Sequence, residues 1–122
     1  RGIFVGGGAT ARVGKILGAD RMTEMMLTGR KYDATEGVAL GLAHYAVKDA
    51  EALPLAMQLA GKIARNAPLS NYLMIQSISR IHDLSKPDGL YVESLSAAIA
   101  QTTPDAVEGL KAFLEKRPPN FR

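Results

Sequence analysis

Three consecutive glycines, Gly6, Gly7 and Gly8, run straight into a helix-forming segment, Ala9-Thr10-Ala11-Arg12-Val13. Glycine lets the backbone take φ > 0 and admits another group close to the main chain. The unpaired N–H groups of such a turn, and of the helix it feeds, can hold an anion, a carbonyl oxygen or a water. Thr10 is placed to cap a helix beginning near Ala11. Gly6-x-Gly8-x-x-Ala11 also fits the dinucleotide pattern, which needs a second strand ending in an acid about 20 residues on. Here residues 22–27 carry helical spacing instead, with Glu24 inside them. A P-loop is excluded, because Gly14-Lys15 is followed by Ile16 rather than Ser or Thr.

The remaining reactive side chains form no recognisable centre. His44 and His82 stand far apart in the sequence, with no H-x-x-x-H or H-E-x-x-H frame. No G-x-S-x-G elbow occurs, and no pair of acids sits in an apolar, cleft-like context. Cysteine is absent, which removes disulfides and thiolate chemistry. Met22, Met25 and Met26 share a helical face, suited to core filling or to an adaptable pocket wall.

The elements that must position these groups are nearly all helical. Ile3-Phe4-Val5 and residues 42–47 are the two strand candidates. Val13, Ile16 and Leu17 give one apolar helical face, ended by Gly18; residues 19–27 give the next helix, with Gly29 as its C-cap. Asp33 and Glu36 form a capping box for a short helix ended at Gly41. A longer helix runs from Asp49 to about Arg65, where Pro54 fits only within the first turn. Asn66-Ala67-Pro68 breaks the chain, and residues 69–84 are helical again, with Leu73, Met74, Ile78 and Ile81 inward. Ser85-Lys86-Pro87-Asp88-Gly89 has loop composition. Tyr91, Leu95, Ala98, Ile99 and Thr102 mark a further face, and Thr103-Pro104 opens a last helix with Val107, Leu110, Phe113 and Leu114 inward.

The chain has 122 residues, one domain by length, and is 47% hydrophobic with a net charge of +3. Basic residues are interleaved with acids, so no nucleic-acid stripe forms. No apolar run approaches the roughly 20 residues that cross a bilayer, and a cytoplasmic protein is expected. The sequence opens at Arg1 rather than Met, and a natural N-terminus is expected to precede it. From the residues alone the reading is a mostly helical domain with a glycine-bounded pocket entrance.

Five ordered segments carry a more specific resemblance. Residues 2–13 resemble a G-x-x-P-G-x-G-G-T-x-R-L turn, and residues 22–30 an A-x-E-M-x-L-T-G-x segment. Residues 33–42 resemble D-A-x-E-A-x-x-x-G-L, residues 66–69 N-x-P-L, and residues 108–117 E-G-x-x-A-F-x-E-K-R. Together they resemble the C-terminal half of the crotonase superfamily, the enoyl-CoA hydratases and isomerases.

The resemblance implies the helical C-terminal part of an α/β crotonase fold. Residues 1–48 would end the core, and residues 49–122 would form a trimerisation and CoA-capping region. It implies action on a 2-enoyl-CoA thioester through an oxyanion-stabilised enolate, as in fatty acid metabolism, with coenzyme A as part of the substrate and no separate cofactor or metal. By the family pattern, the oxyanion donors and both catalytic acids precede Arg1, so this piece alone is expected to be inactive. Gly6 matches the position whose N–H holds the catalytic water. Gly7 and Met25 fall at the substrate pocket, and Lys116 matches a lysine that contacts CoA across a subunit boundary. A homotrimer or hexamer is implied, without nucleic acid or membrane. Three positions depart from the family: Val5 replaces the usual Pro, Ala9 the last Gly of the turn, and Ala97 the aromatic that stacks on adenine. The alternative is a non-enzymatic helical oligomerisation domain.

Overall fold

The computed structural model describes residues 2–121. Seven helices follow in order: α1 (Ala9–Leu17), α2 (Ala19–Thr28), α3 (Ala34–Ala39), α4 (Asp49–Ala64), α5 (Pro68–Ile81), α6 (Lys86–Gln101) and α7 (Pro104–Glu115). Neither expected strand forms among the described residues: residues 3–5 and 42–47 are irregular. A strand needs an extended neighbour to take up its N–H and C=O groups; the Leu42 and Ala43 N–H groups instead donate to the Gly37 carbonyl in the last turn of α3. The chain divides into two compact units, one reaching Ala52 and the other starting at Leu53.

In the first unit α1 packs on α2. Leu17 and Met22 are its buried apolar side chains, while Ile16 turns out to be half exposed rather than inward. Gly18 is both C-cap of α1 and N-cap of α2, and Gly29 closes α2 with its N–H on the Met25 carbonyl at 3.0 Å. The capping box on α3 is complete: the Asp33 carboxylate accepts from the Glu36 N–H at 2.8 Å, and the Glu36 carboxylate accepts from the Asp33 N–H at 3.2 Å. Arg30 spans the two helices, reaching Glu36 at 2.9 Å and Glu24 at 3.4 Å while its guanidinium lies 4.7 Å from the Tyr32 ring centre.

The second unit is built on α5 against α6, with a smaller contact between α6 and α7. Here the structure corrects several expectations. Pro54 is the sixth residue of α4, beyond its first turn. The carbonyl that loses a donor is that of exposed Ala50, which solvent can satisfy. The segment 85–89 is no loop but the start of α6: Ser85 caps by accepting from the Asp88 N–H at 3.3 Å, and Pro87 occupies the first turn. Serine, proline and aspartate favour turns and helix starts alike, so composition alone does not separate the two.

The inward face of α6 is also not the one its bulk suggests. Gly89 is buried and Val92, Ser96 and Ala100 are half-buried, while Tyr91, Leu95 and Ile99 are exposed. A Cβ on Gly89 would stand 3.2 Å from both Cγ2 and the carbonyl oxygen of Ile81. The Ser77 and Ser96 hydroxyls share a hydrogen bond of 3.0 Å across the same interface. Small residues thus let α5 and α6 approach closely. On α5, Leu73 and Ile81 are half-buried as expected, but Met74 and Ile78 are exposed. On α7 the expected inward row is reversed: Val107, Leu110, Phe113 and Leu114 are all exposed, and the buried residue is Ala112.

Candidate functional site

The glycine turn is a strand-free approach to α1. Gly7 and Gly8 take φ of 68° and 79°, and Gly8 is the N-cap. The helix therefore begins at Ala9, and Thr10 lies inside it. No side chain caps it, which corrects the Thr10 cap. The reason is local: a left-handed Gly8 starts the helix two residues earlier than a threonine cap would. The first-turn N–H groups are left open toward whatever approaches, as an anion or oxyanion site requires. Arg12, one turn on, donates from its guanidinium to the Gly7 carbonyl, while the φ of 79° is what asks for glycine at position 8. A Cβ at Gly8 would stand 2.7 Å from Arg12 Nη1.

Gly6, just before the turn, is exposed, and a Cβ there would meet nothing within 4 Å. Met25, on α2, is half-buried. A cavity of about 380 Å³ in this unit is lined by Thr10, Ala11, Gly14, Lys15, Ala19, Met22 and Thr23, so its methionine is Met22 rather than Met25, and neither Gly6 nor Gly7 borders it.

Lys116 belongs to the second unit. It stands at the end of α7 with φ 54°, the one positive-φ residue other than glycine among the described residues. Two bonds characteristic of a helix reversal close around it: the Arg117 N–H to the Ala112 carbonyl at 3.1 Å, and the Lys116 N–H to the Phe113 carbonyl at 3.3 Å. The chain then folds back along α7. Arg117 grips Glu108 with two parallel bonds, at 2.6 and 3.0 Å, and Glu115 at 2.6 Å. The Asn120 N–H adds 2.8 Å to the same Glu108 carboxylate, and the Phe121 ring lies against Gly109. The Arg117 bonds and then the Asn120 N–H hold the Glu108 carboxyl well below its ordinary range, at about 2. The Arg117 guanidinium is raised further, chiefly by its hydrogen bond to Glu108.

Sequence reasoning placed Glu108 and Arg117 in the signature of residues 108–117 and gave Lys116 a CoA contact, but it did not pair Glu108 with Arg117. No spacing rule signals this grip, since Glu108 and Arg117 are nine residues apart and beyond reach along a helix. Ala97, at the aromatic's place, lines an apolar groove of about 340 Å³ between α5 and α6 with Leu73, Ile78 and Ile81. Among the described residues no cluster could hold a metal ion, and no helix is long and apolar enough to cross a membrane.

A helical unit of this order, opened by an uncapped glycine turn, is the C-terminal helical part of a crotonase fold. A solved enoyl-CoA hydratase from Bacillus anthracis superposes with a TM-score of 0.93 at 33% identity, over 98% of this chain and 46% of its own. The family model for enoyl-CoA hydratase/isomerase matches residues 1–122, and the chain belongs to that family. The human enoyl-CoA hydratase domain-containing protein 2, mitochondrial, is 35% identical over 99% of this chain and 43% of its own length. The 2,3-dehydroadipyl-CoA hydratase of Escherichia coli is 31% identical over 99% of this chain and 48% of its own. The chain thus spans less than half the length of the relatives it matches.

Proposed function

We propose that this chain is the water-positioning and CoA-contacting portion of an enzyme that hydrates or isomerises 2-enoyl-CoA thioesters. The observation that carries the reading is the family match along the whole chain, joined to an uncapped α1 start behind an exposed Gly6. In a hydratase, water adds across the conjugated double bond: its oxygen bonds to the β carbon, and a proton reaches the α carbon. The enolate oxygen formed on the way needs preorganised N–H donors, and its protons need carboxylates. On this reading Gly6 aims the water through its N–H, Gly7 and Met25 border the acyl group, and Lys116 meets an anionic part of CoA. The oxyanion donors and both acids then stand on polypeptide outside this chain.

Residues 1–48 would complete a catalytic core, and residues 49–122 a capping and self-assembly region in a trimer or hexamer. The exposed rows on α5, α6 and α7 support that assembly, since apolar faces of this size need a cover. The test compares the full polypeptide encoded by the gene with residues 1–122 alone, on crotonyl-CoA and a longer enoyl-CoA, following loss of the conjugated thioester absorbance. Turnover is expected from the full polypeptide and none from the isolated chain. Turnover by residues 1–122 would overturn the assignment of the acids to other polypeptide, and inactivity of both on every enoyl-CoA would favour a helical assembly domain without catalysis.

A further inference from the structure

We propose that the Glu108–Arg117 pair is a positioning device for the Lys116 ammonium, setting where that charge meets the CoA portion of the substrate. The inference rests on the reading of Lys116 given above and goes one step deeper. Three observations carry it.

The first is conformational. Lys116 adopts φ 54°, ψ 38°, a region that a side chain with a Cβ occupies at a cost and that glycine enters freely. The reversal after α7 needs a left-handed residue there, a place glycine most often fills, yet the position holds a lysine. Strain retained at one residue points from the outlier toward a use for its side chain.

The second is electrostatic. Lys111 lies 3.9 Å from Glu115, and Arg117 is engaged by Glu108 and Glu115. Among the described residues Lys116 makes no ion pair, and its side chain is exposed. The two cations nearest it on α7 and its tail are thus spent on internal carboxylates, and the middle one is kept for an outside anion.

The third is mechanical. The residue after Lys116 is tied by a two-bond, charge-assisted contact to a carboxylate one helix-length back, and the same carboxylate holds the Asn120 N–H. The backbone is therefore anchored just past the strained residue, and the direction of the Lys116 Cα–Cβ bond is fixed by groups that need not touch the ligand. Glu108 and Arg117 are positioning residues in this sense.

A double-mutant cycle in the full polypeptide tests it, with the KM and kcat of an enoyl-CoA measured beside those of the same acyl group on pantetheine, which lacks the nucleotide. Lys116→Gly suits φ 54° and removes the ammonium. It is expected to raise KM for the CoA thioester by up to roughly fivefold, the upper range of one exposed charge contact, and to leave the pantetheine thioester unchanged. Glu108→Gln is expected to raise the same KM with kcat held, and to have no further effect in the Lys116→Gly background. Should Glu108→Gln fail to fold, Arg117→Lys takes its place in the cycle.

If Lys116→Gly raises KM and the clasp variant does not, the positioning role is overturned while the CoA contact stands. If the clasp variant raises KM equally with and without Lys116, or for both thioesters, the clasp acts on the fold and the proposal falls. If Lys116→Gly leaves KM unmoved, the CoA contact itself is wrong.

Discussion

Glu108 shows how one carboxylate changes the acid response of a chain end. Its pKa falls to about 2 from an ordinary 4.5 because Arg117 and then the Asn120 N–H bond its charged form. A depressed folded value means that the unfolded chain binds the proton more readily. The clasp's contribution is therefore full above about pH 4.5 and is lost as pH falls toward about 2. We expect Glu108→Gln in the full polypeptide to flatten the decline of urea stability across that window while leaving the slope at neutral pH unchanged. An unaltered acid profile would show that the carboxylate does not sense folding.

At the scale of helices, most of the cap chemistry was legible, Thr10 and Ser85 excepted, and the choice of face was not. The Asp33–Glu36 box, the Gly29 stop and the Thr103-Pro104 start follow from residues within one turn of each other, and each forms. Which face of α6 turns inward depends instead on α5, and there Gly89 and Ser96 outrank Leu95 and Ile99 because backbone approach excludes bulk. The apolar periodicity of α6 and α7 marks faces left open within this chain, so reading them as inward was the natural error. The Glu108–Arg117 grip was hidden for a different reason. It exists only after the chain reverses at Lys116, and no helical spacing encodes that turn.

The close crossing and the Ser85 cap make two substitutions in α6 informative. Ser85→Ala removes the accepted Asp88 N–H and should cost about 1 kcal/mol. Gly89→Ala should cost more than the helix-propensity gain of roughly 1 kcal/mol that alanine otherwise brings, because its methyl meets the Ile81 carbonyl. Urea unfolding of the full polypeptide measures both, and a stabilising Gly89→Ala would refute the close crossing.

For the chain as a whole, the buried apolar side chains among the described residues are Leu17, Met22 and Ala112, while Phe113 is 79% and Leu114 71% exposed. Contiguous bare faces of that kind drive association in water. Residues 1–122 made alone should scatter light as a species heavier than one 13.0 kDa chain. Phe113→Glu with Leu110→Lys should lower that mass. A wild-type monomer at micromolar concentration would show that these faces are tolerated bare. The family and the helical class were legible from five short motifs. The catalytic groups were not, since the sequence sets no pair of acids in an apolar, cleft-like context.

The outward ridge of α7 has a cellular consequence. Chaperones and proteases treat greasy helices as unfinished folding, and a copy left bare is removed rather than stored. Steady-state abundance of any polypeptide bearing this ridge would then track how promptly it is covered, more than how firmly each helix holds together.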